Sequence, residues 1–140
     1  MKIMLDEGAI LPTRAHKYDA GLDIYAPWTM KPTTIRRRGS LIIDTGVHVE
    51  IKQGYVGFLK SKSGLNVVHD ITNEGVIDTG YTGSIRVKLY NNGRKRYTIR
   101  PGDKISQLVI LLIALEDPEL TTDEFEQTER GDNGFGSTGR

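Results

Sequence analysis

The sequence contains no cysteine, so disulfide bonds and thiolate metal ligands are excluded. Acidic and basic residues nearly cancel, at 18 and 19, and this balance gives no reason to expect direct binding to nucleic acid or to an anionic membrane. The longest apolar stretch, residues 108–115, is far shorter than the roughly 20 residues of a membrane-spanning helix. We interpret this stretch as a buried strand.

Helical periodicity is also nearly absent, which leaves strands as the dominant element. Sixteen glycines and five prolines divide the chain into short β-rich runs at residues 22–26, 40–51, 55–61 and 84–91. Two runs alternate with period two, and their apolar faces consist of Val47, Val49 and Ile51, and of Ile85, Val87 and Leu89. This pattern predicts an all-β sandwich, jelly roll or small barrel. Residues 63–68 are predicted to form a short helix with Ser63 as its N-cap.

Several polar residues are interpreted as structural. His16, His48 and His69 lack the spacing of metal ligands, so each is expected to be an ordinary surface or strand residue. The run of residues 36–38, three arginines, is interpreted as a solvated turn or strand end. Neither group indicates a functional site by itself.

The composition changes near the C-terminus. Residues 116–130 are acidic and polar, and residues 131–139 contain four glycines around a single aromatic residue, Phe135. Such a segment cannot pack as core and is expected to be flexible. On these residues alone two interpretations stay open: a lid that closes on a flat ligand, with glycine amides around phosphate, or an incidental polar tail.

The segment GVIDTGYTG, residues 75–83, contains a candidate for chemistry. It consists of a strand-like portion, then Asp78 in a glycine-containing turn, then Tyr81. A carboxylate at a strand end beside a hairpin can hold a water molecule in a fixed position. On local grounds a turn-forming aspartate is the favoured alternative.

Five segments, in order, resemble the five signature motifs of the trimeric dUTPase family. They are AGLDIYAP (20–27), KSGL (62–65), GVIDTGYTG (75–83), PGDKISQLVI (101–110) and RGDNGFGSTG (130–139). The resemblance implies a jelly-roll-like β-barrel over residues 1–116 and a flexible C-terminal arm over residues 117–140, which would close a neighbouring subunit's site. It also implies a homotrimer with active sites shared among the three subunits.

The activity that the resemblance implies is hydrolysis of dUTP to dUMP and pyrophosphate with Mg²⁺. This reaction would limit the incorporation of uracil into DNA and supply dUMP for the synthesis of dTMP. The expected location is the cytoplasm, or the host cytoplasm if the protein is viral, and the N-terminus does not resemble a signal peptide.

The resemblance also implies roles for individual residues. Asp78 would activate the attacking water, Tyr81 would pack against the deoxyribose, and Asp23 would contact the metal through water. The implied phosphate contacts are Lys62, Ser63, Gly64, Gln107, Arg130, Ser137 and Thr138. The resemblance further implies that Phe135 of the lid stacks on uracil and that the neighbouring Gly136 contacts the substrate. Main-chain groups of the hairpin would read the base, with substrate contacts at Asn73, Gly75, Val76 and Ile77. Lys62 stands where the family usually has arginine, so the positive charge is kept and the two-pronged donor is lost.

Two other functions are compatible with parts of this pattern. The dCTP deaminases share the fold and the IDxGxxG segment, but they carry a catalytic glutamate in the following strand, where this chain has Lys88. A non-catalytic trimeric module that senses dUTP would keep the fold without turnover. The set of Asp78, Tyr81 and Phe135 favours the hydrolase, although a regulatory role in addition to catalysis stays open.

Overall fold

Short runs of alternating apolar residues form the strands of this protein, as the sequence predicts. The computed structural model describes residues 1–134, which form a mostly β fold with one short helix. The elements in chain order are β1 (Lys2–Leu5), β2 (Gly21–Tyr25), β3 (Thr33–Ile35), β4 (Ser40–Asp44), β5 (Val47–Glu50), β6 (Tyr55–Lys60), α1 (Ser63–His69), β7 (Ile71–Thr72), β8 (Glu74–Ile77), β9 (Arg86–Asn91), β10 (Tyr97–Ile99) and β11 (Lys104–Leu112).

The strands pair in four antiparallel sheets. The largest has the order β2-β11-β6-β8, and a second has the order β4-β9-β7. Two further pairs are β1 with β5 and β3 with β10. Strand β8 lies at an edge of the largest sheet, so one side of its backbone is not paired with another strand of residues 1–134.

Both predicted apolar faces are confirmed. Val47, Val49, Val87 and Leu89 are buried in one hydrophobic core, whereas Lys88 is exposed on the opposite face of β9. Because the side chains of a strand alternate between its two faces, one apolar face per strand suffices to build this core.

The predicted buried strand at residues 108–115 is only partly correct. Strand β11 begins earlier, at Lys104, and ends at Leu112. Leu112 is the last residue paired with β6, and the backbone N–H of Ile113 then donates to the carbonyl of Gly54 at 2.9 Å. The C-terminal end of β11 and the residues after it are not buried: Leu112 is 74% exposed and Leu115 is 72% exposed.

The predicted helix is confirmed, but its predicted N-cap is wrong. Helix α1 spans Ser63–His69, and Ser63 is already its first helical residue. Lys62 is the N-cap, with an extended backbone and no capping hydrogen bond from its side chain. The side chain of Lys62 instead contacts Asp23. The seven residues of α1 are too few to cross a membrane.

Within residues 1–134, the acidic C-terminal segment contributes no residue to the hydrophobic core, as its composition predicts. Residues 116–134 are exposed throughout. The three arginines at residues 36–38 are likewise exposed in the turn that connects β3 with β4, which confirms their interpretation as a solvated turn.

Candidate active site

A buried carboxylate with two lysine partners lies in the largest sheet. Asp23 is on β2 and is 3% exposed. Its Oδ1 accepts a hydrogen bond from Lys62 Nζ at 2.5 Å, and its Oδ2 lies 2.7 Å from Lys104 Nζ in an ion pair whose geometry is not that of a hydrogen bond. Burial disfavours the ionised carboxyl, but the contacts and charges of the two lysines outweigh burial and lower the pKa of Asp23. The contact with Asp23 in turn raises the pKa of Lys104.

Polar groups continue from this cluster towards α1. Gln107 is paired in register with Asp23 on one side and with Lys60 on the other, and its Nε2 donates to the carbonyl of Ser61 at 3.3 Å. Ser63 and Gly64, in the first turn of α1, are exposed. The first amides of a helix have no intrahelical acceptor and suit an anion such as phosphate.

Asn73 is held by two serines next to this region. Its Nδ2 donates to Ser106 Oγ at 2.8 Å, and its backbone N–H donates to Ser61 Oγ at 2.8 Å. Asn73 is 5% exposed, and its buried Oδ1 has no hydrogen-bond partner within residues 1–134. A buried acceptor without a partner is rare in folded proteins.

The third motif forms a rigid turn at the far end of β8. The backbone N–H of Tyr81 donates to the carbonyl of Asp78 at 3.2 Å, and Gly80 supplies the positive φ of 87° that this turn requires. Thr79 Oγ1 donates to the carbonyls of Lys52 and Tyr55, at 3.2 and 2.9 Å, which ties the turn to the start of β6.

The two candidate side chains of this turn differ in their contacts. Tyr81 is 46% exposed, and its hydroxyl donates to the carbonyl of Ser84 at 3.0 Å. A Cβ at Gly83 would lie 2.6 Å from that hydroxyl, so glycine is needed for the ring to lie where it does. The carboxylate of Asp78 is exposed and makes no side-chain hydrogen bond or ion pair with other residues of the described range. It is therefore available to a water molecule or a ligand.

Strand β8 connects this turn with Asn73 and presents an open backbone edge. Val76 is 55% exposed and Ile77 is buried, while Gly75 packs so closely on Leu59 that a Cβ there would lie 3.2 Å from a methyl group. Glu74 forms an ion pair at 2.8 Å with Lys60, its partner in register on β6. The unpaired N–H and C=O groups of an edge strand can form hydrogen bonds with a flat polar ligand.

The structure does not bring all of these residues together in one chain. Ile77 pairs with Gly57, so Asp78 lies beside Val56, six residues before Lys62. At about 3.3 Å per residue, this register separates Asp78 from Lys62 by roughly 20 Å along β6. We call the two groups the lysine end, which contains Asp23, Lys62 and Gln107, and the hairpin end, which contains Asp78 and Tyr81.

Of the site residues predicted from the fifth motif, only Arg130 lies within the described part of the chain. Arg130 Nε donates to the carbonyl of Asn133 at 3.4 Å, within its own exposed turn. Phe135, Gly136, Ser137 and Thr138 lie outside the described residues. The lid is therefore a prediction that the structure does not test.

Sequence reasoning missed Lys104 and Ser106. A β-bulge at Ile105 shifts the register between them, so that both Ile105 and Ser106 are buried and the period-two alternation is broken. Lys104 stands in the fourth motif, and its charge is the signal that could have drawn attention to it. A bulge cannot be read from alternation, so its partner Asp23 could not have been assigned.

This fold and these residues define a class: a small β protein with cationic and amide groups for an anion at one end of a sheet, and a free carboxylate at the other. Comparisons with known proteins agree with this class and refine it. The sequence profile of the dUTPase family matches residues 7–139. The chain therefore belongs to the dUTPase family and is a dUTP nucleotidohydrolase.

Individual relatives support the assignment over the whole chain. The deoxyuridine 5′-triphosphate nucleotidohydrolase of Debaryomyces hansenii is 41% identical over 136 residues, which cover 96% of this chain and 83% of the relative. A mutant dUTPase of Staphylococcus bacteriophage 80alpha, solved with dUpNHpp, superposes with a TM-score of 0.90 at 28% identity, over 99% of this chain and 98% of the other. A mutant dUTPase of phage phi11 of S. aureus, solved to describe the coordination of a structural Mg(II) ion, gives a TM-score of 0.80 at 30% identity, over 90% of this chain and 98% of the other.

Proposed function

We propose that this chain hydrolyses dUTP to dUMP and pyrophosphate at active sites that are shared among the subunits of a homotrimer. Asp78 is the general base in this proposal, and the lysine end of another subunit binds the phosphates. The observation that carries the mechanism is the carboxylate of Asp78, which is exposed, unpaired within the described residues, and fixed at the end of β8 by the turn that also contains Tyr81.

The chemical step needs positioning more than it needs a reactive group. Asp78 accepts a proton from a water molecule whose oxygen attacks the α-phosphorus, the bond between this phosphorus and the bridging oxygen to the β-phosphorus breaks, and pyrophosphate leaves. No covalent intermediate forms. General-base catalysis by a positioned side chain contributes roughly 10²–10⁴-fold, and the fixed cations contribute by stabilising the charge that develops on the phosphates.

The lysine end is suited to the phosphates. Lys62 and Lys104 together carry one more positive charge than Asp23 neutralises. Ser63 and Gly64 are exposed in the first turn of α1, where backbone N–H groups have no intrahelical acceptor and can donate to phosphate. Gln107 lies beside them on β11 and is proposed to contact the α-phosphate. Arg130, Ser137 and Thr138 are proposed to complete the phosphate contacts from the arm of a further subunit.

The hairpin end and β8 are suited to the nucleoside. Tyr81 is proposed to pack against the deoxyribose, where a 2′-hydroxyl would collide with its ring. The open backbone edge of β8, next to Asn73, would read the polar edge of uracil. Cytosine reverses the donor and acceptor that distinguish uracil, so it would leave these groups unpaired. Phe135 and Gly136 are proposed to cover the base.

The separation of the two ends supports a site that is shared between subunits, as in the proposed homotrimer. About 20 Å of strand divides Asp78 from Lys62 in one chain, which favours a site that takes the two residues from different chains. Exposed apolar residues on the same sheet supply a surface for association: Val76, Leu111 and Leu112 are 55%, 48% and 74% exposed. In this arrangement residues 1–116 form the β-barrel, and residues 117–140 form the arm.

Magnesium belongs to the proposal as a companion of the triphosphate. Within residues 1–134, no three His, Cys, Asp or Glu side chains come together in a cluster that could hold a metal ion. We therefore propose that the oxygens of the phosphates supply most of the ligands of the ion, since these are the hard ligands that Mg²⁺ prefers. When bound, the ion supplies neutralisation of the phosphate charge. Asp23 is the residue that would hold its waters, once one lysine turns from the carboxylate to the phosphates.

The proposal is tested by incubating the purified chain with dUTP and Mg²⁺ and separating pyrophosphate, orthophosphate and ammonia. We expect stoichiometric dUMP and pyrophosphate from dUTP, and little product from dCTP or dTTP. Ammonia from dCTP would instead indicate a deaminase. Absence of pyrophosphate from dUTP would refute the proposed reaction, and a monomer at assay concentration with full activity would refute the shared site.

A further inference from the structure

Two arginine-rich loops, far apart in sequence, meet at one end of the fold. We call their six exposed cationic residues the basic patch; they are Arg36, Arg37, Arg38, Arg94, Lys95 and Arg96. The buried side chain of Asn91 joins the loops, because its Nδ2 donates to the carbonyl of Ile35 at 3.1 Å and to that of Lys95 at 2.8 Å. The backbone N–H of Asn91 also donates to the carbonyl of Gly39 at 2.9 Å.

The charges of the basic patch are not neutralised within the described part of the chain. None of its six side chains forms an ion pair there, whereas Lys2, Lys60, Lys62, Arg86 and Lys104 all do. Asp70 is the acidic residue among those that line the adjoining groove, which has a volume of about 670 Å³. Unpaired like charges on adjacent loops repel one another. No ion pair within the described chain reduces this repulsion, and an anionic partner would reduce it.

We propose that the basic patch binds the phosphate backbone of nucleic acid. Five of its six residues are arginine, whose planar guanidinium donates two parallel hydrogen bonds to phosphate oxygens. Contacts of this kind position a nucleic acid without reading its sequence, so the binding is expected to be independent of sequence. The overall composition conceals this surface, because the acidic residues of the C-terminal segment balance it.

The C-terminal segment is the competing anionic partner. Residues 116–129 contain seven acidic and no basic residues. No ion pair joins this segment to the patch within residues 1–134. The segment leaves the sheet beside Tyr55, the first residue of β6, whereas the patch lies beyond α1, which follows the last residue of β6. The patch is therefore open to an external polyanion in this chain. If the arm of a neighbouring copy binds there instead, the cross-linking measurement described below detects it.

Binding is measured with the full-length chain and fluorescently labelled DNA oligonucleotides, one single-stranded and one duplex, of mixed sequence without uracil. Fluorescence anisotropy is followed between about 50 and 200 mM salt. If six cations contact phosphates, the logarithm of the association constant should fall linearly with the logarithm of salt concentration, with a slope of about −5 for duplex and about −4 for single strands. No binding at the lowest salt concentration would overturn the proposal.

Matched variants separate the effect of the basic patch on binding from the effect of net charge. Arg37→Gln with Arg94→Gln should flatten the slope by about 2 and weaken binding by roughly tenfold. Lys31→Gln with Lys52→Gln removes the same charge from exposed residues elsewhere and should leave the slope unchanged. Equal losses in both variants would mean non-specific attraction and would overturn the proposal.

Two further measurements keep the result unambiguous. Hydrolysis of dUTP at the parental rate shows that each variant is folded, and Arg36→Gln with Arg96→Gln repeats the test if the first pair does not fold. Cross-links that join the acidic arm of one copy to the basic patch of another, and that disappear in the patch variants, would assign the patch to the arm and overturn nucleic-acid binding.

Discussion

Lys104 Nζ lies 2.7 Å from Asp23 Oδ2, on the opposite side of the carboxylate from Lys62. Asp23 is thus a shared counter-ion that keeps two ammonium groups in place before any anion arrives. A carboxylate that is 3% exposed requires such partners, because an unpaired buried charge is strongly destabilising. The same contacts fix the positions of two cations in the phosphate-binding half of the site.

Replacing Lys104 should therefore change the response of the fold to acid. The lysines lower the pKa of Asp23 below its ordinary value of 3.8, so its ionisation stabilises the fold above that pH, and the stabilisation is lost as pH falls through the lower native value. In Lys104→Gln the native pKa rises, and the midpoint of acid unfolding should move to higher pH. Circular dichroism measures this shift. Lys31→Gln, which alters an exposed lysine without an ion pair in the described chain, should leave the midpoint where it is.

Asp78→Asn should separate catalysis from folding. The carboxylate has no partner within residues 1–134, so the variant should melt at the parental temperature and still bind dUTP, while turnover falls about 100-fold or more. Steady-state kinetics and calorimetry measure the two effects. Asp117→Asn, in the exposed arm, is the matched control and should keep parental turnover. A purified Asp78→Asn protein with unchanged turnover would show that this residue is not the base.

Mixing two inactive proteins should restore activity if the site is shared. Asp78→Asn lacks the base at the hairpin end, and Lys62→Met lacks a cation at the lysine end. Oligomers that contain both variants can form a site with an intact Asp78 from one chain and an intact Lys62 from another. Turnover of the mixture, after dissociation and reassembly, should clearly exceed that of either protein alone. A mixture no more active than its components would place the whole site in one chain.

Removing residues 130–140 should leave the fold intact and abolish most activity. The described part of the C-terminal segment is exposed and contributes no residue to the hydrophobic core, so its loss costs no core contacts. If the segment closes over bound nucleotide, the truncated protein should keep its melting temperature and lose most of its kcat/KM for dUTP. Parental activity in the truncated protein would mean that the segment is not a lid.

His48 should make stability depend on pH near neutrality. Its Nδ1 lies 2.7 Å from the carbonyl of Thr82 and its Nε2 lies 3.1 Å from Asp6 Oδ2, and only the protonated ring can donate to both. The hydrogen bond to Thr82 and the carboxylate of Asp6 raise the pKa of His48 above 6.5. The stabilisation is therefore complete below 6.5 and is lost as pH rises through the native pKa. The melting temperature should fall over this range in the parent and not in His48→Gln; parallel profiles would contradict the assignment.

Features that depend on neighbouring residues could be predicted from the sequence alone. Alternation with period two placed Val87 and Leu89 in the core, because successive side chains of a strand point to opposite faces. The glycine-containing turn after β8 was predicted from its own residues, and five ordered motifs identified the family over nearly the whole chain. The predicted N-cap was wrong by one residue, because Ser63 is already helical and the N-cap is Lys62, whose ammonium group cannot accept a hydrogen bond from the helix amides.

Contacts between residues that are distant in the chain could not be predicted in this way, because they depend on how the strands pair. Asp23 lies between two lysines because β2 pairs with β11 and a bulge at Ile105 resets the register, and alternation contains no information about either. The same long-range pairing divides the candidate site between two ends of a sheet and joins two basic loops through Asn91. Local patterns fix the face on which a side chain lies, whereas register between strands fixes its neighbours.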